Sequence, residues 1–200
     1  MTLRADLALI VDWIEPGSRV LDLGCGDGSL MAHLAETRGV TGYGVEIDID
    51  NVVECVRRGV NVIQDDLNDG LSAFDRNTFD YVVMSQTLQT MARPDLLLEE
   101  MLRVGRQGIV TLPNFGHWRC RWQIGIVGRM PVSPALPSQW YDTDNIHLCS
   151  LADFETLCAA RNIRILRREV VNHAHQRNRV ARLLPNLLGE VAIYRVERHG

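Results

Sequence analysis

Nine residues constrain this chain more than any others: Val20-Leu21-Asp22-Leu23-Gly24-Cys25-Gly26-Asp27-Gly28. The first half is a short aliphatic strand, and the second places glycines at alternate positions. Glycine takes backbone conformations that other residues avoid, and it lets a ligand lie against the main chain. Ser29-Leu30-Met31-Ala32-His33-Leu34-Ala35 reads as the start of a helix. A glycine loop between a strand and a helix N-terminus describes a nucleotide-type site at the end of a parallel strand. A tight strand-to-helix turn would account for the glycines alone.

Acids narrow the choice of ligand. Asp22 and Asp27 put carboxylates beside the loop, where a pyrophosphate would be repelled and a cationic amino group would not. The next strand, Thr41-Gly42-Tyr43-Gly44-Val45-Glu46, ends in an acid 18 residues after Gly28. An acid there is placed to accept from both ribose hydroxyls. This pairing fits S-adenosylmethionine better than NAD. The segment resembles the glycine motif of class I S-adenosylmethionine-dependent methyltransferases.

Two hundred residues suit one domain with a good-sized core, here taken as residues 1–200. The formal net charge of −4 gives no overall bias toward nucleic acid or an anionic membrane. The opening residues lack a signal-peptide pattern and no apolar run approaches spanning length. Five scattered cysteines, an odd number with no CxxC, read as reduced thiols in a cytoplasmic protein.

Along the chain, strands and helices alternate. Leu3, Leu7, Ile10, Val11 and Ile14 share a helical face, predicting a helix over residues 3–14 that Pro16-Gly17 stops. Helices follow over residues 29–37, then 52–58 with Asp48 or Asp50 as cap, then 94–104 opened by Pro94. Strands are expected at 60–64, 79–84 and 109–112. Ser150-Leu151-Ala152-Asp153 resembles a capping box with Asp in place of Glu, opening a helix to about residue 160. Residues 163–171 and 190–196 read as a closing antiparallel pair. The pattern predicts an α/β fold, a doubly wound, mostly parallel seven-stranded sheet with helices on both faces and an antiparallel last strand.

From residue 113 to 149 the rhythm breaks. This stretch holds three of the four tryptophans (Trp118, Trp122, Trp140), Tyr141 and four prolines. It follows the fifth strand at the sheet's carboxyl edge, where open α/β folds bind ligands. A substrate lid, a partner-docking surface and a hydrophobic cover for the sheet end all remain open.

Past the third strand, Asp66 is placed to accept from an adenine amino group, with the Leu67 amide at the ring edge; loop capping is the competing role. Ser85-Gln86-Thr87 would stand near a sulfonium, or Thr87 would cap a helix. No general base is evident. His117 and His147 are the best candidates, but a structural hydrogen-bonding role is the stronger reading for each. His173 and His175 alternate without a neighbouring Cys or acid at ligand spacing, so no metal site is expected. The absence of Gly-x-Ser-x-Gly gives no support to a serine acyltransferase or hydrolase triad. Arg161, Arg164, Arg167 and Arg168, then Arg177, Arg179 and Arg182, lack interleaved aromatics and read as a solvated or protein-contact surface rather than an RNA site.

Four further stretches are similar to the MetW family. They are Phe79-Asp80-Tyr81-Val82-Val83-Met84-Ser85-Gln86-Thr87-Leu88-Gln89, Pro113-Asn114-Phe115-Gly116-His117-Trp118, Gly128-Arg129-Met130-Pro131, and Trp140-Tyr141-Asp142-Thr143-Asp144-Asn145-Ile146-His147-Leu148-Cys149. The resemblance implies a methyltransferase-like fold and a role in methionine biosynthesis, in association with a homoserine O-acyltransferase. Position by position it puts Asp22, Gly24, Gly26, Glu46 and Asp66 at an S-adenosylmethionine or S-adenosylhomocysteine site, which Cys25 in the glycine loop and Leu67 and Ser85 past the strand ends complete, and it supplies no methyl acceptor. Three functions follow as expectations: an accessory protein that activates the acyltransferase and senses the cofactor, a small-molecule methyltransferase with the insertion as lid, and, more weakly, an RNA methyltransferase. No nucleic-acid or membrane partner is expected.

Overall fold

The computed structural model describes residues 5–172 and 183–199. Its centre is β1 (Arg19–Leu23), which pairs in parallel with β2 (Thr41–Glu46) on one side and β4 (Phe79–Ser85) on the other. β3 (Val62–Gln64) extends the sheet beyond β2, and β5 (Gly105–Pro113) extends it beyond β4, both parallel. β7 (Val191–Arg198) then runs antiparallel to β5 and to the edge strand β6 (Ile163–Val171). The sheet order is β3-β2-β1-β4-β5-β7-β6. The chain winds outward from β1 to β3 and restarts on the other side at β4. The carboxyl ends of β1 and β4 therefore flank a topological switch point, where such sheets hold ligands.

Alternation along the strands decides which helix covers which face. On one face Leu21, Val82, Met84, Val110, Leu112, Ala192 and Tyr194 are buried against α4 (Pro94–Val104) and α6 (Leu151–Ala160). On the other, Val20, Tyr81, Val83, Ile109 and Ile193 meet α1 (Ala5–Val11) and α2 (Ser29–Arg38). This is the period-two signature of strands buried on both faces.

The helix signals act as their chemistry requires. Asp48 caps α3 (Ile49–Arg57), accepting the Asp50 N–H at 2.8 Å. Ser150 and Asp153 form the reciprocal capping box of α6. Some boundaries differ from expectation. α1 ends at Val11, yet Trp13 and Ile14 stay buried because a tighter turn continues, with their N–H groups on Ile10 and Val11 carbonyls. β5 begins four residues before Ile109. Gly105 pairs with Phe79 so closely that a Cβ there would lie 2.4 Å from Val82 Cγ2. Leu3, His173, His175, Arg177, Arg179 and Arg182 lie outside the described residues.

Candidate cofactor site

The loop after β1 is hooked onto its neighbours from both sides. Gly24 and Cys25 both donate to the Val45 carbonyl, at 2.9 and 3.1 Å. Gly24 sits at φ +71°, and a Cβ there would lie 2.6 Å from Thr87 Oγ1. That hydroxyl is held by the Leu23 and Ser85 carbonyls, so the loop is wedged against the end of β4. Thr87 thus packs the loop and makes no side-chain cap. Gly26, at φ +55°, has nothing within 4 Å of an added Cβ and opens onto the cleft.

Glu46 is buried at the tip of β2. Its Oε2 accepts the Gly26 N–H at 2.8 Å, and its Oε1 accepts those of Ile47 and Asp48 at 2.9 and 3.0 Å. Asp27 accepts the Ser29 N–H and pairs with the Arg58 guanidinium at 2.7 Å, so its charge is balanced inside the fold. Asp22 is buried below the loop. The Cys25 thiol turns toward β2, where a Cβ on Gly44 would strike it, and lies 3.7 Å from Cys55 Sγ. Burial, then the nearby carboxylate of Asp22, pushes the Cys25 thiol well above the usual range.

Two cavities line the carboxyl edge. One of about 460 Å³ is bordered by Asp22, Cys25, Gly26, Asp27, His33 and Ser85. The other, about 550 Å³, is bordered by Glu46, Asp65, Asp66, Leu67, Gln86 and Asp144. Both include Gly24, Asn51 and Ser85, which makes them halves of one cleft. All eight candidate cofactor residues border it. Asp66 also caps the turn Leu67–Asp69, accepting from the Asn68 N–H and side-chain amide at 2.9 Å. Ser85 Oγ is 3.3 Å from Thr111 Oγ1.

Of three further residues on the border of the cleft, only Gln86 is expected there from the sequence. Gln86 takes a left-handed φ of +58°, its N–H held by Thr111 Oγ1 and the Thr111 carbonyl. A non-glycine residue there is strained, and such strain collects at ligand clamps. His33 is the one imidazole among the bordering residues. Asp144 reaches the cleft from the insertion, because the Ile146 and His147 N–H groups both bond to the Gln89 carbonyl.

His117 and His147 do not border the cleft. His117 is buried and caps α5 (Trp118–Trp122), its Nδ1 accepting the Arg119 N–H at 3.4 Å. Burial lowers its pKa, and the Arg119 charge adds to that while Glu190 opposes it. His147 is exposed, with Nε2 3.3 Å from the Ala92 carbonyl.

The family-like Pro113-Asn114-Phe115-Gly116-His117-Trp118 stretch proves to be a footing. Buried Asn114 donates its amide to the Asn186 and Gly189 carbonyls, at 3.1 and 2.7 Å, and accepts from the Gly116 and Leu151 N–H groups. The Phe115 N–H meets the Cys149 carbonyl at 3.0 Å and closes the insertion at its base. The described arginines of the suspected basic patch are engaged internally. Arg161 pairs with Asp95 and Glu99, Arg164 with Glu197 and Arg168 with Glu155; Arg167 lies over the Trp13 ring. Among the described residues no helix is long and apolar enough to cross a membrane, and no three His, Cys, Asp or Glu side chains are grouped to hold a metal ion.

Strand order, switch-point cleft and glycine loop define a class I S-adenosylmethionine-dependent methyltransferase fold. The chain matches the structure of the complex between the Haloferax volcanii Trm112 methyltransferase activator and a putative methyltransferase with a TM-score of 0.69, at 16% identity, covering 98% of this chain and 91% of that one. A SAM-dependent methyltransferase from Archaeoglobus fulgidus gives 0.68 at 17% identity, covering 98% and 92%. At such identities the likeness is one of fold. Within that class the chain belongs to the MetW family, described as "Methionine biosynthesis protein MetW", whose profile matches residues 4–196. The bifunctional methionine biosynthesis protein MetXA/MetW of Rhodopirellula baltica is 36% identical over 208 residues, 99% of this chain and 33% of that one. A fatty-acid O-methyltransferase of Mycolicibacterium smegmatis is 37% identical over 97 residues, 46% and 35% of the two chains. The chain therefore spans about a third of the length of these relatives.

Proposed function

We propose that this protein binds S-adenosylmethionine, or its product S-adenosylhomocysteine, and acts as the accessory, activating partner of a homoserine O-acyltransferase in methionine biosynthesis. The residues fit the cofactor. Gly26 leaves an open cradle, and Asp22 stands below it for a cationic amino group. Glu46 and Asp66 border the other half of the cleft, suited to ribose and adenine, with the Leu67 amide beside them. Bound there, the cofactor would supply an electrophilic sulfonium methyl group.

The observation that carries the partner half is the Rhodopirellula relative, in which a MetW-like segment shares one chain with a MetXA segment. Joining two modules makes their encounter intramolecular. A cofactor that alters affinity for the partner must have its own affinity altered by the same factor. The test is acyltransferase activity with and without this protein, and with and without S-adenosylmethionine. Activity that depends on this protein supports the accessory role. Activity equal in all four mixtures overturns it, and cofactor affinity that ignores the partner removes the sensing part.

A methyltransferase reading draws on His33 and Ser85, which border the same half of the cleft as Gly26. Methyl transfer to a good nucleophile rests largely on positioning. Labelled methyl appearing in an extract component, and lost in Gly26→Val, would favour it.

A further inference from the structure

We propose that the acyltransferase docks on one face of the insertion: the arm of residues 118–130, with Trp140 and Tyr141 beside it. The matching surface on the partner would be an apolar patch rimmed by carboxylates. This inference rests on the partner reading above and names its surface.

The arm is built rather than slack. α5 runs into a wider turn, Gln123–Val127, that Gly128 ends. The Gln123 side chain bonds the Val132 N–H and carbonyl, at 3.0 and 3.1 Å, which pins the far end of the arm. Arg121 Nε donates to the Gly116 carbonyl at 2.6 Å at the near end. Phe115, Met130, Leu136, Trp140 and Leu148 surround one void of about 30 Å³, so the arm and the Trp140 loop form a single surface. With this footing satisfied, the apolar side chains still face outward. Trp122 is 55% exposed, Ile126 68%, Trp140 72% and Tyr141 71%. Trp118, Ile124, Val127 and Met130 are exposed with them. A contiguous apolar surface of this kind on an ordered scaffold marks an interaction site.

Charge selects the occupant. No Asp or Glu occurs between Phe115 and Tyr141, while Arg119, Arg121 and Arg129 interleave with the aromatics. The whole chain carries −4, whereas residues 118–130 hold three arginines and no acid; Arg119 lies 3.9 Å from Glu190, and Asp142 follows Tyr141 at the edge of the face. Tryptophan, tyrosine and arginine are the residues that anchor protein interfaces, and complementary charge steers the encounter.

The experiment uses the full chain and the homoserine O-acyltransferase of the same organism, purified separately and titrated calorimetrically. Trp122→Ala and Ile126→Glu should each weaken binding by about thirty-fold or more. Val56→Glu, at an exposed apolar position on α3, should leave it within about three-fold. S-adenosylmethionine affinity and far-ultraviolet circular dichroism should stay as in the wild type, which separates lost docking from lost folding. Arm variants that bind as tightly as the wild type overturn the surface and leave the partner reading standing. A wild-type chain that neither binds nor activates the enzyme overturns that reading and this one together. Two further controls point to other occupants. Flotation of the wild type with phosphatidylglycerol vesicles, lost in Ile126→Glu, would assign the face to a membrane. A dimer in analytical ultracentrifugation, lost in the same variant, would assign it to a second copy; either overturns the proposal.

Discussion

The Oε2 of Glu46 accepts the Gly26 N–H at 2.8 Å, so the acid that ends β2 also sets the height of the glycine loop twenty residues before it. Its other oxygen holds the Ile47 and Asp48 N–H groups at the start of α3. Glu46→Gln replaces one acceptor with an amide donor that must face a backbone N–H. We expect S-adenosylmethionine affinity to fall at least about tenfold and stability by about 1–3 kcal/mol, read by calorimetry and denaturant titration.

The two loop glycines should separate fold from binding. Gly24→Ala meets Thr87 Oγ1 at 2.6 Å and carries a left-handed φ, so it should destabilise the fold by roughly 2 kcal/mol or more. Gly26→Ala carries only the φ strain, about 1 kcal/mol, because nothing lies within 4 Å of its Cβ. Its methyl group would instead project into the cleft. The expected result for Gly26→Ala is near-native thermal stability with cofactor affinity lowered about tenfold or more.

Asn114 satisfies two carbonyls and two N–H groups from three separate segments. Asn114→Leu removes the side-chain partner of both carbonyls and of the Gly116 N–H, while the Leu151 N–H keeps Asn186 Oδ1 at 3.1 Å. Stability should drop by roughly 3 kcal/mol or more, and tryptophan fluorescence should report loosening of the arm before the sheet unfolds.

His117 makes the fold sensitive to acid. Burial holds its pKa below the ordinary 6.5, and its Nδ1 must be unprotonated to accept from Arg119. The unfolded chain takes up a proton near 6.5, whereas the folded chain does so only lower. This contribution is complete above pH 6.5 and is lost as pH falls below it. Asn is a good helix cap, so His117→Asn should keep the N-terminus of α5 and lose less melting temperature between about pH 7.5 and about pH 5.5 than the wild type.

Much of this was legible in the residues. Apolar runs and glycine or proline stops located the strands, because strands buried on both faces have few alternatives. Glycine loop, Asp22 and Glu46 identified the cleft, since a backbone cradle and an acid at a strand end leave a spacing that can be read. Asp66 shows the limit: the same position serves a capping role and a place on the border of the cleft, and spacing does not separate them. The direction of the Cys25 thiol depends on its packing against Gly44 and Cys55, which no local pattern encodes. Asn114 looked like one residue of a loop. Its partners are up to 75 positions away, so its role exists only once the sheet has closed.

The place of β7 orders events in time. It lies inside the sheet, between β5 and β6, although it follows both in the sequence. The parallel strands β1 to β5 can assemble as they leave the ribosome. β6 then emerges before β7, its ladder partner among the described residues. The footing at Asn114 waits as well, for carbonyls at 186, 189 and 190. A nascent chain short of those residues keeps the outer edge of β5 unpaired and its arm unanchored, and one that includes them offers both together. Assembly with a partner through that arm would then depend on β7 being in place.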